Sequence, residues 1–160
     1  GCINRVTLSR MMIGTDGVGT IVSQEEGAVR EIVLDGLDYV VSPRTKLYGN
    51  GAPPVLDSWG WHSFAPYNLY VRAADDVMIR DTKIVWTEGD LADLGKIPDG
   101  SPDWPAVECR DVSGLVLDNV ICSAHGENRP DVLLVNVKSP EVASCRRVDG
   151  ERATVEERHG

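Results

Sequence analysis

A 16-residue pattern occurs twice in this chain at an offset of 38 positions, and its first half occurs a third time. When Leu69 to Ile84 is set above Val107 to Cys122, Leu69 falls on Val107, Val71 on Cys109, Val77 on Leu115, Ile79 on Leu117 and Ile84 on Cys122. Val132-Leu-Leu-Val-Asn-Val137 repeats the opening strand and places Asn136 at the position of Asp111. Apolar residues alternate with a period of two, and the spacing of an amphipathic helix is absent. Each unit reads as two short strands joined by a tight turn rich in Asp, Ser, Gly and Asn.

A unit of this size buries one face of each strand but has no core of its own, so it must stack on copies of itself. The motifs of propeller blades are missing, and the inward positions are Val, Leu and Ile, which stacked parallel strands favour. These features predict an all-β fold, a parallel β-helix of about five coils with long loop insertions, right-handed as parallel crossovers are. Ladders such as Leu69, Val107 and Val132 should then repeat at about 4.8 Å. The expected domain covers residues 1–148. Residues 149–160, apolar only at Ala153 and Val155, are expected to be a polar, disordered tail. Because Gly1-Cys-Ile3 leads directly into a strand pattern, earlier coils of a longer solenoid or a second chain are expected to cover the first coil.

A net charge of −9 argues against a nucleic-acid partner. Hydrophobic content of 42% with only 6% aromatics suits a core of branched aliphatic side chains. No stretch has the roughly 20 apolar residues of a membrane helix. Nor does a charged-then-apolar signal segment open the sequence, so the compartment stays open. Cys2, Cys109, Cys122 and Cys145 lack metal-site spacing, and no metal or cofactor is expected. Cys109 and Cys122 fit as small buried thiols in a core ladder, with disulfides left open. The acidic loop from Thr87 to Asp103 lacks the spacing of a calcium loop and reads as solvated.

Taken in order, Val6, Leu8, Met11 and Ile13 follow the template of Val77, Ile79, Thr82 and Ile84. Gly14-Thr-Asp-Gly-Val-Gly19 is a turn cluster, Thr20 to Gln24 a short strand, and Val29 to Val41 a coil with Ile32, Leu34, Leu37 and Tyr39 inward. Gly19-Thr-Ile-Val-Ser23, Gly27 and Val29-Arg-Glu-Ile-Val-Leu-Asp35 resemble the segment after the active site in polygalacturonases and related members of glycoside hydrolase family 28. Pro66-Tyr-Asn-Leu-Tyr-Val-Arg72 and Trp104-Pro-Ala-Val-Glu108 are similar to C-terminal coils of bacterial members. The resemblance implies hydrolysis of pectin-like polysaccharide by aspartates that would precede residue 1. This segment would then supply scaffold and one groove wall. Thr20 and Val22 stand where that family carries a basic pair.

The insertion between Ser42 and Pro66 holds Trp59, Trp61 and His62 as candidates for stacking on sugar rings, against a packing role for the same rings. On the repeated strand, Arg72 and Arg110 are candidate substrate contacts, and Glu108 is a weak catalytic candidate. Its arginine neighbours favour a salt-bridged surface instead. Asp75-Asp76 and His125 read as turn and loop residues. The leading function is therefore part of a polysaccharide hydrolase. A non-catalytic glycan-binding or structural β-helix is the alternative, and a polysaccharide lyase is the third.

Overall fold

The computed structural model describes residues 1–15, 19–23, 25, 27–41, 69–86, 105–124 and 129–160. Their regular structure is entirely β. In chain order come β1 (Ile3–Ser9), β2 (Met12–Thr15) and β3 (Gly19–Val22), then β4 (Val29–Asp35), β5 (Asp38–Val41) and β6 (Leu69–Arg72). β7 (Ala74–Arg80), β8 (Lys83–Trp86) and β9 (Val107–Arg110) follow, then β10 (Ser113–Asp118), β11 (Val120–Cys122) and β12 (Val132–Val135). The last three are β13 (Glu141–Val142), β14 (Cys145–Arg146) and β15 (Val155–Arg158).

The chain deals these strands in rotation onto three sheets. The first has the order β1-β4-β7-β10-β13, the second β2-β5-β8-β11-β14, and the third β3-β6-β9-β12-β15. Every pair is parallel. This is the arrangement of a parallel β-helix, a solenoid in which each layer hydrogen-bonds only to the layers above and below.

The predicted ladders are present. Leu69 pairs with Val107 and Val107 with Val132; Val77 pairs with Leu115, Ile79 with Leu117 and Ile84 with Cys122. Between the sheets lies one continuous core that includes Ile32, Leu34, Val71, Val77, Leu115 and Leu117. Full burial of each such side chain stabilises by about 1.5–3 kcal/mol. Cys109, Cys122 and Cys145 are free thiols inside this core, and Cys2 is free and exposed. Burial pushes the Cys145 thiol up to about 11 and raises Cys109 and Cys122 as well.

Two expectations need correcting. The repeat unit contributes to three sheets rather than two strands, because left-handed backbone at single residues breaks what alternation alone reads as one run. Nine of the ten non-glycine residues with positive φ group into three columns. Arg10, Asp81 and Asn119, with Gly36, turn the chain from the first sheet to the second, while Ala73, Asp111 and Asn136 turn it from the third back to the first. Another column, Arg5, Glu31, Asp76 and Gly114, bends the first-sheet strands from within. Asp75-Asp76 thus lies inside β7 over Ser113-Gly114 of β10, not in a hairpin turn.

Left-handed backbone costs an L-residue about 1–2 kcal/mol. At six of the corner residues the amide reaches the next layer, as where Gly36 N donates to Arg80 O at 3.1 Å, Asp81 N to Asp118 O at 3.0 Å, and Asp111 N to Val135 O at 2.9 Å. Gly114, at φ +69, also needs its missing side chain, since a Cβ there would lie 2.7 Å from Asp76 Oδ1.

The second correction concerns residues 149–160. The expected tail contains β15, which pairs with β12 from Val132–Val155 to Val135–Arg158, and Ala153 is buried. A carboxylate holds the segment in place. Asp131, with no exposed surface, accepts from Thr154 N at 2.8 Å and Thr154 Oγ1 at 3.0 Å through Oδ2, and from Ala124 N at 2.7 Å through Oδ1. Three partners satisfy a charge that burial would otherwise penalise heavily.

Candidate functional site

Strand alternation sends Leu69, Val71, Val107 and Cys109 into the core and turns Tyr70, Arg72, Glu108 and Arg110 to the outer side of the third sheet. Register aligns these outer residues in two columns. One runs Thr20, Tyr70, Glu108, Leu133, Glu156, and the other Val22, Arg72, Arg110, Val135, Arg158. The sequence points to most of this face but misses its last row, Glu156 and Arg158, which fell in the supposed tail. A signal was available: Val155-Glu-Glu-Arg158 repeats Val107-Glu-Cys-Arg110.

The middle of the first column is buried rather than displayed. Tyr70 is 1%, Glu108 2% and Leu133 2% exposed, whereas Thr20 and Glu156 at the ends are exposed. Arg110 Nε donates to Glu108 Oε1, so the expected salt-bridged surface exists, with the acid beneath it. Two residues on from Glu156, Arg158 Nε makes the same contact with Glu156 Oε1 at 2.6 Å. That hydrogen bond holds the Glu156 carboxyl below the usual range. Burial, with the Glu108 charge behind it, raises the Tyr70 phenol, leaving a neutral hydroxyl.

Glu108 and Glu156 stand two strands apart, about 9.6 Å by strand spacing. That is near the upper end of the roughly 6.5–9.5 Å that an inverting glycosidase leaves between its carboxyls. The surroundings do not suit the chemistry. Leu133 fills the space between them, each is engaged by an arginine two residues on, and Glu156 is held in the charged form that cannot donate a proton.

Arg72 is different. Half-buried and adjacent to Arg110 in register, its side chain makes no hydrogen bond or ion pair among the described residues. Two guanidiniums on neighbouring strands favour an anion, and a planar fork suits a carboxylate.

Trp59, Trp61, His62 and His125 lie outside the described residues, as does the acidic loop from Thr87 to Asp103. A notch of about 90 Å³ at the turn from the third sheet to the first is lined by Asp75, Asp111, Ser113, Asn136 and Lys138. Its Asn136 and Asp111 already bond to each other at 3.1 Å. Among the described residues no group of His, Cys, Asp and Glu could hold a metal ion.

The fold and this face define a parallel β-solenoid with a basic row on one outer sheet. No protein-family model matches the chain, no curated protein is significantly similar to it, and no solved structure matches it.

Proposed function

We propose that this chain is a right-handed parallel β-helix of five coils that supplies scaffold and groove wall to a carbohydrate-active protein similar to polygalacturonase-type hydrolases. Its own part is to hold an acidic polysaccharide along the outer face of the third sheet. The observation carrying this reading is Arg72: a half-buried guanidinium beside Arg110 with no acid of its own among the described residues. Binding a sugar carboxylate there would complete a pair rather than break one. Hydrolysis would fall to carboxylates other than Glu108 and Glu156, and Trp59, Trp61 and His62 are proposed sugar contacts.

The second reading, a non-catalytic glycan-binding solenoid, draws on the same arginine-held carboxylates. Affinity electrophoresis in polygalacturonate against fully methyl-esterified pectin tests the binding claim. Retardation by the charged polymer, weakened about tenfold by Arg72→Gln, which corresponds to about 1.4 kcal/mol, is the expected result. Equal retardation by both polymers, or no effect of Arg72→Gln, would defeat it. Release of reducing ends from polygalacturonate separates hydrolase from binding module.

A further inference from the structure

After β14 the chain doubles back in a tight antiparallel turn. Arg147 N donates to Glu151 O at 2.7 Å and Ala153 N to Cys145 O at 3.0 Å, and Arg146 bridges Arg152 between these two bonds. Arg146 and Arg152 thus form a non-hydrogen-bonded pair, the closer of the two antiparallel arrangements, with Cα atoms about 4.5 Å apart. Cys145 and Ala153 on either side are buried in the core, so alternation turns both arginines to the outer side of the second sheet, where both are exposed.

Like charges directly opposite each other destabilise a strand pair. Among the described residues nothing neutralises this one. Arg146 Nη2 donates to Asn119 Oδ1 at 3.2 Å, and the Arg152 side chain has no hydrogen bond or ion pair among the described residues. The nearby acids are engaged elsewhere. Asp81 accepts from Asn119 Nδ2 at 2.7 Å, Asp118 stands beside Arg80 in register, and Asp149 lies 3.6 Å from Arg147 and accepts from Glu151 N at 3.0 Å. Glu151 faces Arg147 across the turn, and alternation puts that pair on the opposite side from Arg146 and Arg152. Along the sheet from Arg146 come Ile121 and then Lys83, a further cation about 9.6 Å away by strand spacing, with Asp38 beyond it. The Asp81 contact also fixes the Asn119 amide, whose oxygen in turn holds the Arg146 guanidinium in place.

We infer that Arg146 and Arg152 form a binding site for a phosphate monoester, held between the two guanidiniums on the outer face of the second sheet. A carboxylate offers two oxygens, which one guanidinium fork fills, and balances only one of the two charges. A phosphate monoester offers three terminal oxygens and close to two negative charges at neutral pH. Its binding turns the repulsion across the turn into attraction on both sides. The site lies on a different sheet from Arg72 and Arg110, so the inference does not depend on the glycan reading.

Titration of the chain with methyl phosphate, methyl sulfate and acetate at neutral pH and constant ionic strength tests this, read by the side-chain N–H resonances of Arg146 and Arg152. Methyl phosphate should give saturable shifts at millimolar concentration, and the two singly charged anions should bind at least about tenfold more weakly. Arg152→Gln should weaken methyl phosphate binding about tenfold, and Arg147→Gln, on the other side of the turn, should leave it unchanged. Equal binding of all three anions, or an equal loss in Arg147→Gln, would overturn the inference. Urea denaturation gives an independent reading. In phosphate-free chloride buffer Arg152→Gln should have a midpoint equal to or above that of the parent, because the repulsion is relieved, and methyl phosphate should raise the midpoint of the parent alone. A lower midpoint for Arg152→Gln in that buffer would mean that Arg152 already has a partner within the chain, and would overturn the inference.

Discussion

Asn119 Nδ2 donates to Asp81 Oδ1 at 2.7 Å, and both residues hold left-handed backbone, φ +50 and φ +49, at the same corner of successive layers. Asn and Asp tolerate this conformation better than other non-glycine residues, and here their side chains also join one layer to the next. Arg146 extends the row by donating to Asn119 Oδ1 at 3.2 Å.

Replacing Asn119 should separate these two roles. Asn119→Gly keeps the backbone and loses the bond, at a cost below about 1 kcal/mol for an exposed contact. Asn119→Val loses both and should cost about 2 kcal/mol or more, since β-branched residues resist left-handed backbone. Urea denaturation of both variants reads the difference. Equal midpoints would show that the corner does not depend on conformation.

Asp131 should be among the most sensitive polar positions. Asp131→Ala strands three buried or half-buried donors and is expected to cost about 3 kcal/mol. The loss should be accompanied by faster amide exchange across β15. Thr154→Val, which removes the hydroxyl's bonds to the Asp131 carboxylate and to the Asp131 amide but leaves the contact from Thr154 N, should cost less than Asp131→Ala by the same urea titration.

Thiol chemistry checks the interior. With three of the four cysteines buried and Cys145 pushed up to about 11, one thiol per chain should react rapidly with an aromatic disulfide reagent at neutral pH. Cys2→Ser should abolish that fast phase, and all the remaining thiols should appear only on unfolding. Fast reaction persisting in Cys2→Ser would mean that the core is open.

Alkaline stability tests Tyr39. Burial raises its phenol from 10.0 to about 12, so the folded state favours the neutral form. The resulting stabilisation is fully present below the unfolded value and is lost as pH rises from 10.0 through about 12. Tyr39→Phe should flatten part of the decline in urea midpoint across that window. The remainder belongs to Tyr70, whose phenol is also raised. An unchanged slope in Tyr39→Phe would place the tyrosine in contact with water.

How much of this was legible can be judged from particular residues. The matched positions Leu69 and Val107, Val77 and Leu115, and Ile84 and Cys122 became register partners because inward side chains of stacked layers face one environment and must repeat. The corners were not legible as corners. Ala73 and Arg10 have no residue-type bias toward left-handed backbone, and hydrogen bonds to the neighbouring layer, from Ala73 N to Arg110 O and from Arg10 N to Asp35 O, hold them there.

The candidate site divides along the same line. Arg72, Glu108 and Arg110 were visible on one side of an alternating strand, but their burial was not. Alternation tells which side of a sheet a residue occupies and not what covers that side.

By itself, then, the amino-acid order determined the apolar period and the repeat, because any fold of this chain must bury those aliphatic positions together. Tertiary structure alone decided that three sheets share each repeat and that Glu108 lies beneath Arg110. Those outcomes depend on hydrogen bonds and contacts between layers distant in sequence, which no local pattern encodes.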